Sequence, residues 1–223
     1  MKAQMKVEYL NHMGNDCTVV NAARVSFNNH QHYDDTLTDK DIRLIKYLAK
    51  HKHWSPFSHC FMQFKIKAPI FVARQLGKHQ VGLAWNEISR RYVDYEPEFY
   101  QPQEWRGRPA NTKQGSDGVV DVQLCEVNAA QQSAFDAYQA LIEQGAAPEM
   151  ARMVLPQSMM TEWFWSGSLY AFARVCQQRL DPHSQIETVE IAEQISDFCS
   201  NLFPHSWQSL LALPEGDAED GKH

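Results

Sequence analysis

The residues HCFMQFKIKAPIFVARQLGKH, numbers 59–79, carry the clearest structural pattern in the chain. Apolar and polar side chains alternate through the first half, in which Cys60, Met62, Phe64 and Ile66 alternate with His59, Gln63, Lys65 and Lys67. A period of two residues is typical of a β-strand with one buried face. Pro69 suits the first position of a helix, which we expect over residues 69–79. A strand therefore leads directly into a helix.

Helices dominate the remaining pattern. We expect a short strand near residues 5–10, a loop over 28–36, and a loop or flap over 101–120, which is rich in Pro, Gly, Asn and Gln. Thr38 is the expected N-cap of its helix, because acids follow it and Lys and His close the segment. Helices are expected over residues 16–26, 38–52, 124–144, 148–155, 167–179 and 184–202. This pattern favours an α+β fold with a small antiparallel sheet flanked by several helices.

The composition indicates one globular domain. Of 223 residues, 43% are hydrophobic and 22% are charged, and no apolar stretch approaches the roughly 20 residues that span a bilayer. We expect a single α+β domain over residues 1–213 and a polar, disordered tail over residues 214–223. The N-terminus has no apolar segment with a cleavage site, so we expect a cytoplasmic protein with no membrane partner.

Charge and cysteine content restrict the partners. The formal net charge of −6 argues against a nucleic-acid-binding surface, so any anion site must be local. Five cysteines without a C-x-x-C pair favour reduced, buried thiols over a disulfide frame or a zinc cluster. Fragments of metal-site spacing occur at His30-x-His32 and at His51-x-His53 with His59. No carboxylate or cysteine pattern completes them, and we expect no metal.

Polar chemistry is concentrated in RQLGKHQVGLAWNEISRRY, residues 74–92. If residues 69–79 are helical, Gln75, Lys78 and His79 share one face near the helix end. The chain then changes direction in VGLAW, and four further polar side chains follow within one or two turns, namely Glu87, Ser89, Arg90 and Arg91. Arginine forks, serine hydroxyls and backbone N–H groups bind phosphate. The stretch predicts a phosphate monoester site, with a solvated charged turn as the alternative.

A second cationic group lies far away in sequence, in PEMARMVLP and RVCQQRLDPHSQIE. It contains Arg152, Arg174, Arg179 and His183. An arginine in an apolar helix needs a partner, because burying an unpaired charge costs several kcal/mol. Salt bridges to core acids and a bound anionic ligand both satisfy that requirement.

Four motifs carry a resemblance to a known family: HWSPFSH, KAPIFVARQ, NEISRRY and EMARMVLP. Together they make the chain similar to the flavin-dependent thymidylate synthases, from about residue 13 to residue 187. The resemblance implies a homotetramer with active sites where subunits meet, and a non-Rossmann FAD site. It also implies reductive methylation of dUMP to dTMP, with methylenetetrahydrofolate as carbon donor and NADPH as the source of electrons for FAD.

The resemblance also implies two sets of site residues. The dUMP contacts would be Gln75, Lys78, Glu87, Ile88, Ser89, Arg90, Arg91, Arg152 and Arg179. The FAD contacts would be His53, Ser55, Ser58, His79, Asn86 and His183.

The chain departs from the family in two places. The family usually has Arg-His-Arg, seven residues and Ser, whereas this chain has Lys78-His79-Gln80, eight residues and Ser89. One ammonium and one amide replace two guanidinium groups, so the anion contacts must be weaker or rearranged, and the extra residue must be absorbed in VGLAW. Near the flavin the family often has Asn, Arg, and Asn or His. This chain has Ser168, Tyr170 and Arg174 there.

Arg179 and Ser89 are the candidates for a catalytic role. Arg179 would stabilise negative charge on the uracil ring. Ser89 could attack C6, but no neighbour in sequence is an obvious base, so a phosphate contact is the favoured role. His79 would contact flavin rather than carry protons, and Glu87 would accept from a sugar hydroxyl or hold an arginine.

Two other functions stay open. The chain could place another one-carbon group, such as hydroxymethyl, on dUMP, or it could be a non-catalytic regulator that binds nucleotide or flavin. The aromatic run EWFWSGSLYAF, residues 162–172, fits a buried core or subunit contact better than a cofactor pocket.

Overall fold

The computed structural model describes residues 3–27, 36–92, 96–110 and 115–212. Its strands are Lys6–Met13 (β1), Phe61–Pro69 (β2), Leu83–Glu87 (β3), Trp105–Gly107 (β4), Asp117–Val120 (β5) and Met160–Ser168 (β6). Its helices are Asp16–Arg24 (α1), Asp39–Lys50 (α2), Ile70–Leu76 (α3), Leu124–Glu143 (α4), Pro148–Ala151 (α5), Leu169–Arg179 (α6), Ile186–Leu202 (α7) and Pro204–Leu211 (α8). The expected loop over 28–36, apart from Thr36, and the expected tail over 214–223 lie outside the described residues.

The main sheet is antiparallel, with the strand order β1-β2-β6-β3. β2 and β6 pair along their full length, from Phe61 opposite Ser168 to Pro69 opposite Met160. The alternation predicted for residues 60–67 is confirmed, because Met62, Phe64 and Ile66 are buried while Lys65 and Lys67 are partly exposed. The mixed fold with a small antiparallel sheet and surrounding helices is therefore confirmed.

Helices α6 and α7 cover the apolar face of the sheet. The Phe172 ring lies edge-on to Phe64 and to Trp165, at centroid distances of 5.2 and 5.3 Å. Phe198 of α7 reaches the same Phe64 ring at 5.9 Å. The opposite face is mixed: it exposes Phe61 and Phe164 and carries a salt bridge of 2.7 Å from Lys65 Nζ to Glu162 Oε2. Aromatic packing on one face thus orients α6, which ends at Arg179.

Two strands of the main sheet were not predicted. β6 occupies part of the run 162–172, and the expected helix begins two residues late, at Leu169. Trp163 and Trp165 face the core while Phe164 is exposed on the outer face, so the apolar residues do not alternate with polar ones. β3 begins at Leu83, where we expected a change of direction followed by one or two turns. It is short and lies at the sheet edge, which leaves little periodicity to detect.

The helix expected over residues 69–79 is shorter than predicted. Pro69 ends β2 and is the N-cap of α3, so it does not occupy the first helical position. α3 ends at Leu76, which leaves Lys78 and His79 in the turn that follows. The prediction that Gln75, Lys78 and His79 share one face of a helix is therefore wrong.

Other boundaries also changed. The expected loop over 101–120 contains the two-stranded sheet β4-β5. The expected helix over 148–155 is one α-turn followed by a 3₁₀ turn over Arg152–Val154. α8 was not predicted. The N-cap at Thr38 is confirmed, because its hydroxyl accepts from the Asp41 backbone N–H and the Asp41 side chain accepts from the Thr38 N–H.

The thiol prediction is confirmed only in part. The five cysteines, all within the described residues, form no disulfide, and Cys60, Cys176 and Cys199 are buried. Cys17 is partly exposed and Cys125 lies exposed on α4, so burial does not extend to these two. Within the described ranges, the helices are too short or too polar to cross a membrane.

Asp16 connects the two ends of the domain. Its Oδ2 and Oδ1 accept the backbone N–H groups of His205 and Ser206, both at 2.9 Å, at the start of α8. Asp16 is buried, so the loss of its carboxylate leaves two donors without an acceptor.

We expect Asp16→Ala to lower the free energy of unfolding by about 3 kcal/mol, since each N–H group loses a hydrogen bond to a charged acceptor. Urea denaturation measures this value. Asp197→Ala, at an exposed position in α7, is the control and should change stability by less than about 0.5 kcal/mol. Equal effects of the two substitutions would show that Asp16 does not stabilise α8.

Candidate active site

A cleft of about 960 Å³ opens where α3, β3 and α5 meet, and we call it the cationic cleft. It is lined by Ile70, Ala73, Arg74, Gly77, Lys78, His79, Gln80, Leu83, Trp85, Glu87, Glu149, Arg152 and Met153. In this lining three cations, Arg74, Lys78 and Arg152, outnumber the carboxylates Glu87 and Glu149. The chain has a net charge of −6 but forms a local positive site, and we had expected any anion site to be local.

Local backbone geometry brings His79 to this cleft. α3 ends at Leu76, and the chain reverses before β3 begins. The reversal uses Gly82, whose φ of +77° is costly for any residue with a Cβ. A Cβ on Gly82 would also lie 3.1 Å from the Ala171 Cβ at the start of α6. The turn therefore holds His79 against α6.

Glu87 is held in place by two neutral donors. Thr161 Oγ1 donates to Glu87 Oε1 at 2.7 Å, and Trp85 Nε1 donates to Glu87 Oε2 at 3.3 Å. We predicted that Glu87 accepts from a sugar hydroxyl or holds an arginine. In the structure a hydroxyl and an indole donate to the carboxylate and fix it at the edge of the cleft, and the contact with a sugar hydroxyl stays a prediction.

A smaller cavity of about 210 Å³ adjoins the cleft and shares Lys78, His79, Gln80 and Leu83 with it. Arg174 and Arg179 of α6 also line this cavity. Arg179 Nε donates to His79 Nε2 at 2.9 Å. The two cationic groups that are distant in sequence therefore meet at His79, with Arg152 on one side and Arg179 on the other.

His79 is neutral in this position. Burial, followed by the positive charges of Arg179 and Arg174, lowers its pKa from 6.5 to about 4. Because Nε2 accepts from Arg179, the imidazole proton lies on Nδ1. A neutral acceptor can orient the guanidinium of Arg179 without repelling it.

Four predicted dUMP contacts follow β3 and lie outside the described lining of the cleft: Ile88, Ser89, Arg90 and Arg91. Ser89 Oγ accepts from the backbone N–H and the Nε–H of Arg91, at 3.3 and 3.4 Å. Arg90 is buried, whereas Ile88 and Arg91 are at least partly exposed. Residues 88–91 thus form a turn directly after Glu87, the last residue of β3 that lines the cleft.

Gln75 points away from the cleft. Its side chain hydrogen-bonds Gln185, and its Oε1 accepts from Thr188 Oγ1 at 3.1 Å, both at the start of α7. Its neighbour Arg74 lines the cleft in its place. Arg74 was not predicted, although its position one helical turn before Lys78 could have indicated it.

The predicted flavin contacts are spread over several regions of the described part of the chain. His53, Ser55 and Ser58 lie between α2 and β2, where Trp54 contacts Tyr170 at a ring distance of 6.3 Å. Asn86 is exposed on β3 and, by strand alternation, faces away from Trp85 and Glu87. His183 follows α6 near Gly115. Only His79 lines the two joined cavities.

The structure defines the surroundings of three positions that depart from the family. Ser168 is the N-cap of α6, and its Oγ accepts from the Ala171 N–H at 3.2 Å. Tyr170 packs near Trp54, and Arg174 lines the smaller cavity. No group of three or more His, Cys, Asp or Glu side chains in the described part of the chain is arranged to hold a metal, and His30 and His32 lie outside it.

Comparison with known proteins gives consistent matches. The family model described as thymidylate synthase complementing protein matches residues 8–205. A flavin-dependent thymidylate synthase of Thermus thermophilus is 39% identical over 207 residues, which is 92% of this chain and 74% of the relative. The Thermosipho africanus protein of the same name is 35% identical over 215 residues, covering 94% of this chain and 92% of its own.

The fold also has a close structural counterpart. A UMP/dUMP methylase, PolB from Streptomyces cacaoi, solved with 5-Br dUMP bound, superposes with a TM-score of 0.83. It is 30% identical in sequence, and the superposition covers 96% of this chain and 97% of that one.

The lowered pKa of His79 predicts a pH-dependent stability in the absence of nucleotide. The unfolded chain binds a proton on His79 near pH 6.5, whereas the folded protein binds it only near pH 4. The free energy of unfolding therefore falls as the pH decreases from about 6.5 to about 4, and His79 contributes no slope above that range. At pH 5 we expect the free energy of unfolding to be lower by about 1 kcal/mol. This value already includes the reduction that solvent screening causes for a half-buried group.

Urea denaturation at pH 5 and pH 7.5 measures the loss. His79→Gln should lose less stability between these pH values than the parent, whereas His51→Gln, at an exposed position, should lose as much. The same loss in all three proteins would contradict the neutral state assigned to His79.

Proposed function

The chain belongs to the flavin-dependent thymidylate synthase family, and we propose that it converts dUMP to dTMP by reductive methylation. Methylenetetrahydrofolate supplies the carbon in this proposal, and reduced FAD, recharged by NADPH, supplies the hydride. The observation that carries the proposal is the convergence of Lys78, Glu87 and Arg152 in one cationic cleft, next to the Arg179–His79 pair.

The cationic cleft suits the phosphate of dUMP. Guanidinium and ammonium groups form short, charge-assisted hydrogen bonds to phosphate oxygens. Lys78 and Arg152 line the same cleft and are at least partly exposed, so both are accessible to the phosphate. Arg74, also exposed there, adds a guanidinium near the position where Lys78 and Gln80 replace the two arginines usual in the family. The sequence led us to expect that the anion contacts are rearranged, and in this proposal Arg74 is one of the new contacts.

Arg179 is the residue that promotes the reaction. Its guanidinium would donate to the oxygens and nitrogen of the uracil ring where negative charge develops. Burial lowers the pKa of Arg179, but an arginine stays charged at neutral pH. His79 holds Arg179 through Nε2, so a nucleotide meets a guanidinium that is already oriented.

Ser89 acts as a phosphate contact rather than a nucleophile. Its hydroxyl accepts from the N–H groups of Arg91, and these described contacts include no base that would remove its proton. Ser89 and Arg91 form one donor group for a phosphate oxygen. Of the remaining predicted contacts, Ile88 and Arg90 belong to the same turn and are part of the proposed nucleotide site. Gln75 is hydrogen-bonded to residues at the start of α7 and does not line the cleft of its own chain.

The residues fit part of a flavin within one chain. The cavity beside His79, at about 210 Å³, is much smaller than an FAD molecule, but Lys78, Arg174 and Arg179 suit its anionic groups. When bound, FAD supplies a hydride. The residues that would hold it are His53, Ser55, Ser58, His79, Asn86 and His183, and the site is of a non-Rossmann type.

Neighbouring copies of the chain complete the site in our proposal. His53, Ser55, Asn86 and Arg91 are exposed polar residues that lie outside the described lining of the cleft. A homotetramer with active sites at subunit contacts would place such residues against the cleft of another copy. Residues 1–213 form one catalytic domain in this proposal. The enzyme works in the cytoplasm with small-molecule substrates and without nucleic-acid or membrane partners.

A turnover assay with product detection by mass tests the proposal. Purified protein would receive dUMP, FAD, NADPH and methylenetetrahydrofolate, with UMP as a second substrate. Product with the mass of dTMP is the expected result. Product with the mass of hydroxymethyl-dUMP would indicate the other one-carbon reaction, and nucleotide binding without turnover would indicate a regulator.

Two substitutions should affect different kinetic constants. Arg152→Gln removes a phosphate contact, so the KM for dUMP should rise by about 10- to 100-fold with a smaller change in kcat. Arg179→Lys removes the planar donor, so kcat should fall by about 100-fold. Arg43→Gln, at an exposed site on α2, should change neither constant. If both variants change only KM, Arg179 has no role in the reaction step.

A further inference from the structure

We propose that Trp85 is an additional dUMP-contacting residue, and that its indole ring is the surface on which the uracil ring stacks. The inference rests on the proposed function, since dUMP is the ligand assigned to the cationic cleft. Trp85 lies in the middle of β3 and lines that cleft together with Lys78, Glu87 and Arg152.

The Trp85 ring is held rigidly before any ligand binds. It stacks on Trp163 at a centroid distance of 4.4 Å with an angle of 18° between the rings. Trp165 contacts it edge-on at 5.5 Å and 72°. Its Nε1 donates to Glu87, which is itself held by Thr161. A ring fixed in this way loses little conformational freedom when a ligand stacks on it.

One side of the ring is accessible from the cleft. Trp163 and Trp165 are almost fully buried, with exposed fractions of 1% and 0%, and they lie toward the core. Trp85 is only partly buried, because β3 is the edge strand of the sheet. The exposed surface of Trp85 therefore faces the cleft. Flat aromatic surfaces next to cationic groups are the usual means of binding nucleotide bases.

The surrounding charges favour a nucleotide as the stacking ligand. Lys78 and Arg152 line the same cleft and provide contacts for a phosphate, while Trp85 provides a contact for a ring. A mononucleotide carries both groups within one small molecule. The pterin ring of a folate is the competing ligand, because folates also join a flat ring to carboxylates.

Fluorescence of the flavin-containing protein tests direct contact. Bromine quenches tryptophan emission at close range, so 5-bromo-dUMP should quench more strongly than dUMP. This extra quenching should disappear in Trp85→Phe and persist in Trp105→Leu, which changes a tryptophan of a different cavity. Extra quenching that survives in Trp85→Phe would overturn the proposal.

Steady-state kinetics test the role of the contact. Trp85→Leu should raise the KM for dUMP by about 5- to 100-fold, the range expected for loss of base stacking, and leave the KM for methylenetetrahydrofolate unchanged. Trp85→Phe keeps an aromatic surface and should recover most of the affinity. A raised KM for the folate alone would assign the surface to the pterin. A lower melting temperature with both KM values unchanged would assign Trp85 a purely structural role. Either result overturns the proposal.

Failure of the proposed function is distinguishable from failure of this inference. If the parent protein makes no dTMP but shows Trp85-dependent quenching by 5-bromo-dUMP, the methylation proposal fails and the stacking contact stands. If the parent makes dTMP and Trp85→Leu has the parent's KM for dUMP, the contact fails and the methylation proposal stands.

Discussion

The hydrogen bond from Arg179 to His79 joins two cationic segments that are 100 residues apart in the chain. It requires a neutral imidazole, and burial together with two nearby arginines keeps the pKa of His79 at about 4. The bond also requires the turn at Gly82, which presses residues 78–80 against α6. This contact lies where the cationic cleft and the smaller cavity share lining residues, with Arg152 in the cleft and Arg179 in the smaller cavity.

The main sheet positions the contact between Arg179 and His79. β2 and β6 pair over nine residues, and each leads directly into a helix, α3 after β2 and α6 after β6. The two helices therefore start at opposite ends of one antiparallel pair, and each ends with a cationic segment. Aromatic packing of Phe172 on Phe64 and Trp165 fixes the orientation of α6. The stack of Trp85 on Trp163 extends the same core to the cleft, so core and site share side chains.

Part of this arrangement could be predicted from the sequence, and the physical reasons for the rest are specific. The alternation over residues 60–67 predicted β2, whereas Phe164, exposed between two buried tryptophans, concealed β6. The local composition and the resemblance to the family predicted that Lys78, Glu87 and Arg152 lie in one site, and these three residues line the same cleft. The sequence did not reveal that α3 ends at Leu76, before Lys78 and His79, or that α3 directs Gln75 toward α7 and Arg74 into the cleft. Such directions depend on tertiary contacts that no local pattern encodes.

In the proposed enzyme, the Ser89–Arg91 turn of one chain completes the cleft of another. Mixed oligomers measure this most directly, when Arg152→Gln/Arg179→Ala chains are co-expressed with Ser89→Ala/Arg91→Gln chains and purified through two different tags. At a dUMP concentration near the parent's KM, each variant alone should form little dTMP. If each site takes its two groups from different copies, random assembly restores about one quarter of the parent's dTMP formation. No restored activity in a correctly assembled mixture would show that one chain supplies both groups, which contradicts the account.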